Sequence, residues 1–192
     1  MLVGDRQTFA IESQILHAYA GTHFRALGFF VLHLAGRVYG IKAPDASMLG
    51  CSFEEVGRRL SSRGKHHEGI FSGLGADDIA DAFTAAMYGS DDMALGLPVY
   101  EVSRELHSNE LQWAPDGDQA FDDGSYVLQS DVGSKARLIG FKHDGERHIP
   151  GSLCEVWLDA DVFYGLLRQW HEQILAEWFA APKVSAGGLE PQ

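Results

Sequence analysis

Apolar residues change their spacing several times along this chain, and each spacing names an element. Ala26–Leu34 (ALGFFVLHL) is an almost unbroken apolar run rich in Phe, Val and Leu. Ala35, Gly36 and Arg37 follow, then Val38, Tyr39, Gly40 and Ile41. A run, a tight Gly-containing turn and a second β-branched or aromatic run predict a hairpin. The near-continuous apolarity of its first half predicts a strand buried on both faces. Residues 8–12 also lean towards a short strand.

The spacing then turns helical. Ser52 followed three residues later by Glu55 matches a capping box, and Val56 and Leu60 continue an apolar stripe up to a stop near Gly64. Residues 65–75 are Gly-rich and read as a loop. Ile79, Phe83, Ala86 and Met87 share one helical face over 77–88, with Asp77, Asp78 and Asp81 early and Gly89 as the stop. Residues 90–124 are the least regular stretch, and 99–106 fits either a strand or a short helix. Asp116-Gly117-Asp118 and Asp122-Asp123-Gly124 are turn chemistry.

Three strands follow at short links: Ser125–Val132, which alternates imperfectly, then Lys135–Lys142, then 153–158. Gly133-Ser134 and His143-Asp144-Gly145 turn between them, so the three predict an antiparallel meander. In the last helix, Phe163, Leu166, Leu167, Trp170, Ile174 and Trp178 recur at three and four. Asp159 or Asp161 caps it and Pro182 ends it. Strands and helices come in blocks, which predicts the α+β class. The expected architecture is a largely antiparallel sheet of about five or six strands with three helices packed on it. It would form a single domain over 1–182 with a flexible C-terminal tail over 183–192.

Composition changes this picture little. The chain has 192 residues, 45% hydrophobic and 22% charged, enough for a core without disulfides or metals. Lys and Arg number 15 against 27 Asp and Glu, a net charge of −12. Phosphate affinity comes from Lys and Arg, so this balance argues against nucleic acid and favours basic partners. The two cysteines, Cys51 and Cys154, are far apart and read as buried reduced thiols of a cytoplasmic protein. Asp5, Arg6 and Glu12 interrupt any signal-peptide core. The longest apolar stretch falls far short of a membrane span of about 20 residues.

Candidate chemistry mostly fails on spacing. Nine histidines are scattered, without a His-Glu-x-x-His pattern. His143 and His148 flank one turn and are the pair most able to approach each other, but zinc needs three or four ligands. A calcium loop from Asp116 would need Gly and Glu where Phe121 and Val127 stand. Gly64-Lys65 lacks both the following Ser or Thr and the upstream Gly of a phosphate loop. Gly73-Leu74-Gly75 is half a dinucleotide fingerprint, and no Gly-x-Ser-x-Gly elbow occurs. Trp157, Trp170 and Trp178 fall on core stripes. Trp113 lies in the irregular acidic stretch, where it reads either as a loop anchor or as an exposed interface residue.

What remains is acid in clusters. Asp77, Asp78 and Asp81 form one, which Asp91 and Asp92 extend, and Asp116, Asp118, Asp122 and Asp123 form another. Such a surface either only keeps a protein soluble or steers a basic partner.

Four runs carry a family resemblance: MLVGDRQTFAIES, RALGFFVLHLAGRVYGIKAPDASMLGCSFEEV, SYVLQSDVGSKARLIGFK and SLCEVWLDADVFYGLLRQWHEQILAEW. Together they cover well over half the chain, with 65–121 the weakest part. They resemble the immunity 42 family of bacterial polymorphic toxin systems. The shared motifs are structural and bring no site residues with them. The resemblance implies a small cytosolic inhibitor, without cofactor or catalysis, that binds one cognate toxin encoded beside it. A basic toxin would suit the charge. Asp77, Asp78, Asp81, Trp113, Asp116 and Asp118 are then the expected contacts. The contrasting expectations are a small hydrolase or metal enzyme built on His143, His148 and nearby acids, or a regulatory ligand-binding domain. The oligomeric state stays open.

Overall fold

The computed structural model describes residues 1–89, 93–144 and 148–184. Its strands fall into two main antiparallel sheets rather than one. The first has the order β1 (Leu2–Gly4), β2 (Phe9–Tyr19), β3 (Ala26–Leu34) and β4 (Arg37–Tyr39), with β5 (Ser47–Met48) beside β3. β3 is buried at nearly every position, as its composition predicts. Phe30, Leu32 and Leu34 enter the main core, while Lys42 covers the ring of Phe29 on the other face. Ala35 and Gly36 turn the hairpin with φ of 48° and 78°, the left-handed values of a two-residue connection. β2 runs well beyond residue 12, through a bulge between Ile15 and His17.

α1 (Gly50–Ser61) leads into a connection and then α2 (Ala76–Tyr88). β6 (Met93–Ala94) and β7 (Leu97–Pro98) form a small hairpin before α3 (Val99–Ser108), so the undecided segment is a helix, and the described residues hold four α-helices where three were expected. The second sheet follows as β8 (Gln112–Ala114), β9 (Ser125–Val132), β10 (Lys135–Lys142) and β11 (Cys154–Asp159), in the order β11-β10-β9-β8. α4 (Ala160–Ala180) closes the fold, capped by Asp159, whose carboxylate accepts the Asp161 amide. Lys183–Val184 is a short strand, β12, parallel to β2, so the first two residues of the expected tail are paired. The rest of that tail lies outside the described residues, as do Asp91, Asp92 and Gly145.

The imperfect alternation of β9 has a packing cause. Val127 points into the main core while Tyr126 and Leu128 enter a second one; on β10, Leu138 and Ile139 divide the same way. The main core joins both sheets to α1 and α4. The second joins the outer face of the β8–β11 sheet to α2 and α3. Both faces need apolar residues, so a period of two is blurred. Tyr39 bridges the sheets: its hydroxyl lies 2.7 Å from the Ser152 carbonyl and 3.0 Å from that of Gly140. A Cβ on Gly140 would stand 2.6 Å from the Tyr39 ring, so this crossing requires glycine.

Two helix-end and core expectations fail. α1 begins at Gly50, before Ser52, and Ser52 does not cap it. Its hydroxyl instead donates to Asp116 Oδ2 at 2.7 Å. Glu55 turns inward to Arg59 rather than back to the helix start. Trp170 and Trp178 are buried, donating to Ser13 Oγ and the Arg25 carbonyl, but Trp157 is 47% exposed under the Arg137 guanidinium. Trp157 sits on the outer face of an edge strand, where alternation sends Val156 inward and Trp157 outward.

Candidate functional site: an acidic helix face and an adjoining cleft

α2 presents its charges outward because Ile79, Ala80, Ala82 and Phe83 occupy its core-facing side. Asp77, Asp78 and Asp81 are exposed. Asp77 and Asp78 lie in the first turn, where a carboxylate complements the helix dipole. Asp81 Oδ1 is 2.7 Å from His148 Nδ1, and Asp77 is 3.6 Å from Nε2 of the same ring. Beyond them, the α2–α3 end of the molecule exposes Met87, Tyr88, Met93, Leu95 and Tyr100, the last at 65%. The apolar spacing placed Met87 on the core stripe of α2 with Ile79, Phe83 and Ala86, and its exposure corrects that expectation. The other four were not singled out by that spacing.

Asp116 and Asp118 lie elsewhere, at the start of α1. Asp116 accepts from Ser52 Oγ and from the Asp118 amide. Burial pushes the Asp116 carboxyl above its ordinary range. Burial and the adjacent Asp116 push Asp118 up to about 6. The same two carboxylates and Glu54 add to burial in raising the Cys51 thiol. Cys51 is exposed rather than buried, and Cys154 is half-buried beside Tyr39.

Since its folded-state pKa stands above the unfolded carboxylate value of 3.8, Asp118 adds stability that is complete below that pH. That contribution is lost as the pH rises through about 6. Asp118→Asn should therefore exceed the wild type in stability by about 1 kcal/mol near neutral pH, after allowance for solvent screening. The difference should vanish at acid pH, and denaturant titrations at both extremes check it. A gap that does not change with pH would refute the charge argument.

Trp113 is not an exposed contact. It is fully buried on β8, so the ring anchors that strand in the core instead of facing a partner. It lies 5.8 Å from Phe9 and 5.9 Å from Phe163, with the Arg59 guanidinium 5.7 Å over its face. The acidic turn chemistry around it hid a β8 strand that turns the side chain into the core.

Between α1, the α2–α3 pair and the segment after β8 runs a cleft of about 510 Å³. Phe83, Leu106 and Trp113 contribute to its walls, with Met87, His107 and Glu110. A recess of about 320 Å³, lined by Cys51 and Glu54, shares Arg58 and Asp116 with it. The cleft's cations are already engaged. Arg59 Nε donates to Glu55 Oε1 at 2.8 Å and Nη1 to Gln129 Oε1 at 3.1 Å, and Arg58 binds the other Glu55 oxygen.

The histidine pair is brought together, as expected from its turn: His143 and His148 form an isolated antiparallel bridge. Among the described residues, no group of three or more His, Cys, Asp or Glu could hold a metal ion. No helix among them is long and apolar enough to cross a membrane.

The family model for Immunity protein 42 matches residues 1–173, and the chain belongs to that family. It is a toxin-neutralising immunity protein, and its partner is a toxin. No curated protein matches the sequence. Among solved structures, a CdiI from Burkholderia dolosa AUO158 shares the fold with a TM-score of 0.58 and 17% identity, over 92% of this chain and 99% of that one.

Proposed function

We propose that the protein neutralises its cognate toxin stoichiometrically, by covering the toxin's working surface in the cytoplasm, and catalyses nothing itself. The observation that carries this reading is the outer side of the α2–α3 region. Exposed Asp77, Asp78 and Asp81 stand beside exposed Met87, Tyr88, Met93 and Tyr100. Tyr and Met are enriched at protein interfaces, whereas a surface needed only for solubility would not expose them together. The acidic residues raise the encounter rate with a basic toxin, and the apolar ones hold the complex. Nothing comparable favours a hydrolase at His143 and His148, since Asp81 faces the His148 ring from an exposed helix, not from a cleft.

Co-expression with the product of the neighbouring gene tests the reading. Restored growth and a co-purifying equimolar complex are expected; substrate turnover by the isolated chain would overturn it. Replacing Asp77, Asp78 and Asp81 together by Lys should slow association about tenfold or more at low salt, with the difference fading as salt rises. Association unchanged at every ionic strength would remove this face from the interface.

A further inference from the structure

We infer that the cleft between α1, the α2–α3 pair and the β8 segment is a socket for one arginine side chain of the toxin. The inference rests on the reading of the protein as a toxin-covering inhibitor. Its first ground is shape. The cleft and the recess beside it share Arg58 and Asp116 as lining, and a cleft of about 510 Å³ is ample for a single long side chain. Its second ground is the order of the walls. Met87 and Pro115 supply accessible apolar surface in front of the buried Phe83, Leu106 and Trp113, while Glu110 and Glu54 are exposed and Asp116 is partly exposed. An arginine matches that order, with an apolar stem and a planar charged head able to meet carboxylates with two hydrogen bonds.

Charge decides against an anionic occupant. Glu55 is shared by Arg58 and Arg59, so the two cations together bring one net positive charge. Glu54, Glu110 and Asp116 form no ion pair among the described residues, so the lining keeps an excess of negative charge. Burial holds the Asp116 carboxyl above its ordinary range even though the Ser52 hydroxyl, the Asp118 amide and Arg58 all favour its charged form. A guanidinium entering the cleft favours that form further. The residues that line the cleft and its recess come from positions 51 to 116, and Met87 at its rim joins it to the exposed face of α2. One toxin surface can thus touch both.

The test uses the full chain and the toxin domain encoded beside it. Dissociation constants are measured for the wild type, Glu110→Lys, the charge-neutral pair Glu54→Gln with Glu110→Gln, and Glu172→Lys on the exposed side of α4 as a control. Glu54, Glu110 and Glu172 are exposed, so melting temperatures should stay near wild type. Glu110→Lys should weaken binding about a hundredfold and the neutral pair about tenfold, with the control within about twofold. In double-mutant cycles, one toxin arginine replaced by alanine should lose its effect when Glu110 is already Gln. A tight wild-type complex indifferent to Glu54 and Glu110 overturns the socket alone. So does additivity for every toxin arginine. No complex with the wild type overturns the covering reading and the socket with it.

Discussion

Trp113→Ala should melt far below the wild type and lose about 3–5 kcal/mol of stability, the cost of truncating a fully buried tryptophan. The ring is packed edge-on to Phe163 at 76°, tilted against Phe9, and roofed by Arg59. It therefore ties β8 to β2, α4 and α1 at once. Its indole nitrogen is buried without a hydrogen-bond partner. Trp113→Phe gives up less contact area and removes that unsatisfied donor, so its loss should stay within about 2 kcal/mol. Toxin protection should track folding in both variants: weak for Trp113→Ala at growth temperature, near normal for Trp113→Phe. Calorimetric melting together with the growth assay checks this. A Trp113→Ala protein that keeps its melting temperature yet fails to bind toxin would restore Trp113 as a direct contact.

Glu55→Ala should cost about 3–5 kcal/mol, because it strands a buried guanidinium. Arg59 is 1% exposed and Glu55 3%. Without Glu55, Arg59 keeps only the Gln129 side chain and the Gln112 carbonyl as acceptors. Replacing both partners by Met should be milder than Glu55→Ala, since the double change leaves no buried charge behind. Urea titrations of the three proteins separate the cases. A Glu55→Ala protein within about 1 kcal/mol of wild type would mean that water or a rearranged partner reaches Arg59. The pair also forms the inner wall of the proposed socket, so the Met–Met protein is a useful binder to measure: folded, but with its two cations reduced to Arg58.

Local pattern made much of the framework legible. β3, its hairpin with β4, the β9–β10–β11 meander and α4 all came from residues within one element or one turn. Period and turn chemistry act over such distances, and the family resemblance rests on the same runs. Gly89 ends α2 as expected, and a Cβ there would come 2.5 Å from the Ala85 carbonyl. Where the reading missed, the deciding partner was remote. The hydroxyl of Ser52 is taken by Asp116, 64 positions away, so an intact capping pattern does not cap. α3 has buried Val102 and Leu106 on one side only, too few for its period to stand out from a strand.

The amino-acid order by itself determined the α+β class, most strand and helix positions, the acidic balance and the exposed carboxylates of α2. These depend on neighbouring residues and on total charge. Tertiary structure alone decided that the strands divide into two sheets, that Trp113 is sealed while Trp157 is bare, and that Asp116 serves the start of α1. It also decided that Glu54, Met87, Glu110 and Asp116 surround one cleft. Burial and concavity arise where distant segments meet, and no local spacing records that meeting.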